Sequence, residues 1–392
     1  AQWAETAKLM AAAKRVVILV GNGVLRHPGG EGTTTNLLDL LILLGKLNQP
    51  GCGLGPLAEE NNDQGAVEMG AVPEFLPGPA PLNDQAARDR LASLWREELP
   101  RTAGISLTEM LAAANSGSLK AMFVVGENPI GTLPAGAKAK EALGKLELLV
   151  CQELFLTETA AMAHVVLPAC SYMEKDGTFT NSEGHVQAVR QTINPIGDSR
   201  PDWEMLSAIS VLMGSPLEYG DAREILKEIR SVIPGYGLLG PTPTSPKVDQ
   251  PILSRYLAED ASTDMASRYA LRQAPKSSET SLTLLFTQTL FHSGKLSTHS
   301  KGLLQLQQEG FLSLNPVDAA KVGVADGEKV TVSNARGSIT TIAKIRERVP
   351  AGLVWFPEHF DGEAKQLAEW TIDPRTQIPY FKLAHVSLAK VS

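Results

Sequence analysis

The sequence predicts an α/β protein whose doubly wound parallel sheets are followed by a C-terminal β-barrel. Continuous apolar runs such as residues 16–20 alternate with helical segments, which is the pattern of βαβ units. Residues 234–281 carry many Pro, Ser and Gly without sustained periodicity, which indicates a linker. Beyond them, short apolar runs are separated by turn pairs such as Asp326-Gly327, and this pattern is typical of a small barrel.

The elements can be assigned in chain order. A predicted helix at residues 5–14 leads into the strand at 16–20, Gly21-Asn22-Gly23 turns the chain, and a helix follows at 36–47. The later predictions are helices at 107–114, 135–143, 157–163 and 203–213, and strands at 122–125, 146–150, 165–167, 329–333, 338–345 and 353–356. Because the first helix runs straight into a strand, we expect the sequence to be a piece of a longer polypeptide.

These assignments divide the chain into four regions. Residues 1–60 are expected to be the C-terminal part of one α/β domain, 61–233 a second α/β domain, 234–281 a linker and 282–392 the barrel. The parallel sheets are expected to present the carboxyl ends of their strands to a ligand, as open α/β sheets do.

Composition excludes several classes of function. The chain has 392 residues and a formal charge of −7 with interspersed signs, which argues against binding to a nucleic-acid backbone. Every apolar run is shorter than the roughly 18–20 residues that span a membrane, so we expect no direct membrane span. The three cysteines, Cys52, Cys151 and Cys170, lie too far apart for an iron–sulfur or zinc motif.

Polar side chains follow two consecutive predicted strands. Glu127 and Asn128 come after the strand at 122–125, and Gln152 and Glu153 come after the strand at 146–150. At the carboxyl edge of a parallel sheet, such groups can form a crevice for a nucleotide. Loops are polar in any protein, so an ordinary surface loop stays open as the alternative. Gly21-Asn22-Gly23 lacks the third glycine of a dinucleotide fingerprint and is more typical of a tight turn.

The segment at residues 167–185 concentrates lysine, amide, hydroxyl and glycine donors directly after a buried strand. Loops of this composition can surround a polyphosphate or a pterin, both of which present many acceptors.

These motifs carry a family resemblance. V-G-E-N-P, Q-E-L-F-L-T-E-T-A and E-K-D-G-T-F-T-N-S-E-G occur here in the order found in the molybdopterin oxidoreductase family, which the chain resembles over nearly its whole length. The resemblance implies a bound molybdopterin guanine dinucleotide, and leaves open whether the pocket is filled or empty. The residues implied to contact it are Glu127, Asn128, Gln152, Glu153, Thr157, Lys175, Asn181, His292, Ser293, Gly294, Ser297, Thr298, Asn315, Asp318 and Lys382.

One departure bears on the reaction. Asn61-Asn62-Asp63-Gln64-Gly65 resembles a stretch of formate dehydrogenases that is preceded by an arginine, whereas Ala58 stands in that place here. An alanine cannot bind a carboxylate, and the adjacent Glu59 and Glu60 would repel one. His185 likewise stands where family members often have arginine, which weakens a phosphate contact there.

Several segments more closely resemble the sequence of the large iron–sulfur subunit of NADH-quinone oxidoreductase. This resemblance implies electron transfer from NADH to quinone, partner subunits of a redox complex, and a cytoplasmic location, peripheral on the inner face of the membrane. Iron–sulfur clusters would lie only on an N-terminal part outside this sequence, and the chain alone is expected to be inactive. The alternatives are the C-terminal part of a molybdenum or tungsten formate dehydrogenase alpha subunit, or a nonenzymatic interaction module that keeps the fold.

No catalytic residue or metal site is assigned to this chain. The histidines His292, His299 and His359 are not spaced as the ligands of a metal site. Cys170 is more typical of a buried thiol than of a nucleophile. We predict instead that Glu127, Gln152, Lys175 and Lys382 converge on one cleft between the α/β part and the barrel.

Overall fold

A computed structural model describes residues 2–25, 30–57, 60–133, 136–233, 235–236, 244–247, 281–292, 294–360, 362–368, 371–372, 379–380 and 383–391. Its helices are α1 Gln2–Ala12, α2 Asn22–Leu25, α3 Gly30–Leu43, α4 Asp63–Glu68, α5 Gln85–Trp95, α6 Leu107–Ser116, α7 Pro129–Thr132, α8 Gly136–Leu143, α9 Glu158–Met162, α10 Asp202–Leu212, α11 Ala222–Val232, α12 Lys301–Leu306, α13 Pro316–Val322 and α14 Gly362–Lys365. Two 3-10 helices cover Tyr172–Glu174 and Lys295–His299.

The strands of the α/β part are β1 Val17–Gly21, β2 Gly53–Leu57, β3 Phe75–Leu76, β4 Ala80–Pro81, β5 Ala121–Val125, β6 Leu148–Glu153, β7 Val165–Pro168, β8 Gly177–Thr180, β9 His185–Val189 and β10 Thr244–Lys247. Those that follow are β11 Leu282–Thr287, β12 Phe311–Leu314, β13 Lys329–Asn334, β14 Gly337–Ile345, β15 Leu353–Pro357, β16 Thr371–Ile372, β17 Pro379–Tyr380 and β18 Leu383–Lys390.

Two parallel sheets form the α/β part. Strands β1 and β2 pair in parallel, and β5, β6 and β7 form a second parallel sheet in sequence order. In that second sheet Val124, Leu149 and Cys151 face a core shared with α6, α8 and α9. The alternate residues Phe123 and Val125 are 41% and 46% exposed, so this face is only partly covered in the described chain.

The helix ends explain why these segments stop and start where they do. Ser106 and Glu109 form a reciprocal capping box at the start of α6, and Gly117 ends it with a φ of +78°, which glycine adopts without strain. The observed strand β6 begins and ends later than the predicted strand at 146–150, since it runs from Leu148 to Glu153. Gln152 and Glu153 are therefore the last residues of the strand rather than part of the following loop.

The structure adds an antiparallel hairpin that periodicity did not indicate. Strands β8 and β9 pair with each other, and Thr180 lies opposite Val186. This hairpin falls within the segment that the sequence indicated as a polar loop. Strand β10 pairs with β9, so part of the predicted linker belongs to this sheet. Residues 234, 237–243 and 248–280 of that linker lie outside the described residues.

The predicted C-terminal barrel is confirmed. Six strands close in the order β11-β15-β12-β14-β13-β18. Alternate residues of each strand point inward and form one apolar core, with Leu284, Leu312 and Val354 fully buried. The mixed α/β architecture with a closed barrel is thus the fold class that the sequence predicts.

Candidate functional site

The carboxyl ends of β5 and β6 lie side by side and form a polar edge of the parallel sheet. Val125 pairs with Gln152, and the Gly126 N–H donates to the Gln152 carbonyl oxygen over 2.9 Å. Gly126 has a φ of +62°, a left-handed conformation that favours glycine. The chain turns at this glycine, and Glu127 and Asn128 follow at the edge.

Asn128 joins the loop after β5 to the loop after β6. Its Nδ2 donates to Glu158 Oε2 over 2.7 Å, and its Oδ1 accepts from Thr159 N and Thr159 Oγ1 at 3.2 and 2.8 Å. Asn128 is 6% exposed and Thr159 is fully buried. Glu127 is held beside it, because its carboxylate accepts from Asn128 N and Thr132 Oγ1. The amide of Asn128 therefore has a structural use in fixing both loops.

Gln152, Asp202 and Lys175 form a chain of polar contacts at the same edge. The Gln152 Nε2 donates to Asp202 Oδ1 over 2.7 Å, and Lys175 Nζ is paired with Asp202 Oδ2. A carboxylate can only accept, so the amide nitrogen of Gln152 must face Asp202. The amide oxygen, Oε1, is buried and has no hydrogen-bond partner among the described residues.

Negative charge accumulates around Glu153. Burial raises the pKa of the Glu153 carboxyl, the hydrogen bond from Leu154 N opposes this rise, and the carboxylates of Glu127 and Asp202 add to it. The ammonium group of Lys175 adds a positive charge beside these carboxylates, because it pairs with Asp202. The strand edge is therefore rich in hydrogen-bond acceptors.

Asn181 lies in the turn of the β8–β9 hairpin. Its Oδ1 accepts from the backbone N–H groups of Glu183 and His185 at 3.0 and 2.9 Å. These bonds fix the turn of the hairpin, as asparagine side chains commonly do. Thr157 has a similar structural contact, since its hydroxyl caps α9 by accepting from Ala160 N.

The segment before α12 meets the strand edge through side chains. Lys295 Nζ donates to Glu158 Oε1 over 3.1 Å, and the rings of His299 and Phe155 stack with centroids 3.9 Å apart. From α14, Lys365 Nζ donates to the Thr132 carbonyl over 3.1 Å. The C-terminal part thus contacts the loops that follow both β5 and β6.

Comparisons with known families identify these elements. The Molybdopterin oxidoreductase family model matches residues 5–211, and the model described as "Molydopterin dinucleotide binding domain" matches residues 285–385. The chain belongs to the molybdopterin oxidoreductase family. The first match covers the polar strand edge, and the second covers most of the barrel.

Relatives in this family have several named functions. The chain is 32% identical to F420-dependent formate dehydrogenase 1 subunit alpha of Methanococcus maripaludis, over 99% of this chain and 60% of the relative. It is 35% identical to a subunit of NADH-quinone oxidoreductase from Rhizobium meliloti, over 88% of this chain and 40% of the relative. The chain therefore spans 40–60% of the length of these two relatives.

A solved structure has the same fold. Acetylene hydratase from Pelobacter acetylenicus superposes with a TM-score of 0.59 and 17% identity, over 83% of this chain and 52% of that chain. At this identity the likeness concerns the fold alone.

In this molybdopterin oxidoreductase chain, the residues around His292 that the resemblance implies as cofactor contacts form hydrogen bonds to other groups of the protein. His292 is fully buried, its Nδ1 lies 2.9 Å from Ser297 Oγ, and its Nε2 lies 3.1 Å from the Gln307 carbonyl. Because a carbonyl only accepts, Nε2 carries a proton. Gly294 and Thr298 belong to the same turn, since Gly294 O accepts from Ser297 and Thr298 Oγ1 donates to Lys295 O.

Asn315 and Asp318 hold the start of α13. Asn315 accepts from Val317 N at 2.9 Å as the helix cap and donates to the Val349 carbonyl. Asp318 is 1% exposed and accepts from Lys321 Nζ and Gly352 N. Contact between these two residues and a cofactor stays a prediction.

The predicted convergence can be followed for three of its four residues. Glu127 and Gln152 lie on neighbouring strand ends, and Lys175 reaches Gln152 through Asp202. Lys382 lies outside the described residues, as do Ser293 and Ala58.

Three site residues were missed by sequence reasoning. Asp202, Glu158 and Lys295 make the contacts that connect the candidate residues. Asp202 and Glu158 open helices, where an acid is explained by the helix dipole alone. Asp202 lies 50 residues from its partner Gln152 in sequence, and Glu158 lies 137 residues from its partner Lys295. No local sequence pattern indicates contacts over such separations.

Metal-binding and membrane-spanning features are absent from the described residues. They contain no group of three or more His, Cys, Asp or Glu side chains placed to hold a metal ion. None of the described helices is long and apolar enough to cross a membrane. Cys151 and Cys170 are buried, and burial raises the pKa of both thiols, to about 11 for Cys151.

Proposed function

We propose that this chain is the part of a redox subunit that binds a molybdopterin guanine dinucleotide at the edge formed by β5 and β6. In this proposal the subunit belongs to an NADH-quinone oxidoreductase complex and takes part in electron transfer from NADH to quinone. The iron–sulfur clusters and the partner subunits lie outside the sequence, and this chain alone is inactive.

The observation that carries the proposal is the buried Gln152 Oε1. A buried oxygen without a hydrogen-bond donor costs free energy, about 1–3 kcal/mol, and a ligand or water that donates to it removes this cost. Its orientation is fixed, because Nε2 of the same amide donates to Asp202. Guanine and pterin rings both carry N–H donors that could satisfy this oxygen.

The charge of the edge suits one end of the dinucleotide in particular. Carboxylates of Glu127, Glu153 and Asp202 can accept from the N1–H and N2–H groups of guanine, whereas they would repel a pyrophosphate. The phosphates are assigned to the neighbourhood of Lys175 and Lys295, whose ammonium groups pair with Asp202 and Glu158. When bound with its metal, the cofactor supplies redox chemistry that these side chains lack.

The choice of NADH and quinone as donor and acceptor rests on two points. Ala58 stands where the resemblance to formate dehydrogenases implies a formate-binding arginine, and the chain is 35% identical to the NADH-quinone oxidoreductase relative from R. meliloti. A subunit of this type would be cytoplasmic and peripheral on the inner face of the membrane. The second candidate is a formate dehydrogenase alpha subunit, which is favoured by the alignment with the M. maripaludis relative over 99% of this chain.

The test uses the full-length polypeptide purified with its partner subunits. Guanine nucleotide released by acid is measured per chain, molybdenum and tungsten are measured by mass spectrometry, and reduction is assayed with NADH plus a quinone analogue and with formate plus a dye. We expect stoichiometric guanine nucleotide and NADH-dependent quinone reduction. The Gln152→Leu variant should lose the nucleotide, whereas the exposed Gln85→Leu control should keep it.

Each contrary result has a distinct meaning. Wild-type protein without guanine nucleotide would contradict cofactor binding. Formate-dependent dye reduction together with stoichiometric metal would contradict the NADH-quinone assignment and support the formate dehydrogenase assignment.

A further inference from the structure

The end of β8 is held by a cluster of buried polar side chains from three separate parts of the chain. Thr180, which is 2% exposed, contacts Asn62 from the N-N-x-Q-G stretch, Glu68 from α4 and Tyr236. We call Asn62, Glu68, Thr180 and Tyr236 the Thr180 anchor.

The side chain of Asn62 forms a hydrogen bond that is unusual for the N-cap position of a helix. Asn62 occupies the N-cap of α4, where an asparagine ordinarily accepts from the backbone of its own helix, but its side chain makes no such bond. Its Oδ1 instead accepts from Thr180 N over 2.9 Å, across 118 residues of sequence. Gly65 leaves room for this arrangement, because a Cβ there would lie 2.3 Å from Asn62 Oδ1.

Glu68 completes the anchor from the other side. Its carboxylate is 1% exposed and accepts from Gln64 Nε2 and Thr180 Oγ1 at 3.0 Å each, and from the Tyr236 hydroxyl. Hydrogen bonds to a buried carboxylate are stronger than neutral ones and fix the donors in position. Burial and the bond to Glu68 raise the pKa of Tyr236, so its hydroxyl stays a donor.

The hairpin is also held by the β9–β10 pairing and by Val186, which is buried against Ile233 and Tyr236, whereas the edge of β8 away from β9 is held by side chains. Among the described strands, β8 pairs with β9 alone, so its outer edge is open to the Asn62 bond. Lys175 precedes this strand and Asn181 follows it. A displacement of β8 along or away from α4 therefore moves both residues that the resemblance places at the cofactor.

We propose that the N-N-x-Q-G stretch acts as a positioning element together with the rest of α4. Asn62 from the stretch and Glu68 from the end of α4 fix the β8–β9 hairpin through Thr180 and thereby place Lys175 and Asn181 for the dinucleotide. The part that concerns the dinucleotide rests on the proposed function. In this chain the stretch thus serves cofactor placement even with alanine at position 58.

The test compares three variants of the full-length protein. Asn62→Ala removes the acceptor of Thr180 N, Asn62→Asp keeps an acceptor oxygen at the same place, and Ser106→Ala removes the cap of α6 as a control for general loss of stability. Hydrogen exchange of the Thr180 amide, acid-released guanine nucleotide per chain and the melting temperature are measured for each.

We expect Asn62→Ala to speed exchange of the Thr180 amide by about 10-fold or more, since this local bond protects it, and to lower nucleotide content at least about 2-fold. Asn62→Asp should restore both towards wild type. Ser106→Ala should lower the melting temperature and leave exchange and nucleotide content unchanged.

Unchanged exchange in Asn62→Ala would overturn the proposal, and so would an equal loss of nucleotide in Ser106→Ala. If wild-type protein carries no nucleotide, the proposed function fails, and the exchange arm still decides whether Asn62 fixes the hairpin.

Discussion

Replacing Asn128 with alanine tests whether this buried amide holds the two strand-end loops together. The substitution removes the acceptor of Thr159 N and Oγ1 and the donor to Glu158. Thr159 is fully buried, so water cannot replace the lost acceptor, whereas Glu158 is 53% exposed and can be rehydrated.

The magnitude follows from these two environments. A buried donor left unsatisfied costs about 1–3 kcal/mol, and the exposed contact adds under about 1 kcal/mol. We therefore expect Asn128→Ala to lower the free energy of unfolding by about 3 kcal/mol.

Urea denaturation of the chain, followed by circular dichroism, measures this loss as a lower midpoint at unchanged slope. The matched control is Asn115→Ala, which removes an exposed amide that accepts from Lys145 and should cost under about 0.5 kcal/mol. A loss below about 1 kcal/mol for Asn128→Ala, or an equal loss in the control, would refute the reasoning.

Three further predictions use the same assay. Because burial raises the pKa of Glu153, the folded chain binds more protons than the unfolded chain between the ordinary pKa of 4.5 and the raised one, and stability falls as pH rises through that window. Glu153→Gln should therefore be more stable than wild type at neutral pH, and the difference should vanish as pH falls towards 4.5; a pH-independent difference would contradict this. Val124→Ala should cost about 2 kcal/mol and Val125→Ala under about 1 kcal/mol, because only Val124 faces the core, and equal losses would contradict the assigned faces. Gly65→Ala should cost about 1–3 kcal/mol by displacing Asn62, whereas Gly302→Ala in α12, with open space around it, should be neutral or stabilising; a neutral Gly65→Ala would contradict the close approach.

Much of the α/β part and the barrel could be predicted because burial imposes a simple period on them. Strand β5 is buried on one face and flanked by helices, so its apolar run stands out between α6 and α8. The β8–β9 hairpin was missed because Gly177, Thr178 and Asn181 suggest a loop. The end of β8 is held by hydrogen bonds to Asn62 and Glu68, which lie more than a hundred residues earlier.

For the candidate residues, the position at the strand ends could be predicted from the sequence, whereas their hydrogen-bond partners could not. The strand-end position of Glu127, Asn128 and Gln152 follows from the chain order of strands and helices, which the sequence reveals. The internal use of the Asn128 amide depends on Thr159 and Glu158 approaching from the next loop, and that distance is set by sheet packing. Asp202 escaped notice for the same reason.

A density map of the assembled complex tests the central claim most directly. The account predicts density for a guanine ring with an N–H group within hydrogen-bond distance of Gln152 Oε1, the buried oxygen that lacks a donor in the described chain. A map in which a protein side chain donates to this oxygen, or in which the nucleotide lies away from the β5–β6 edge, would contradict it.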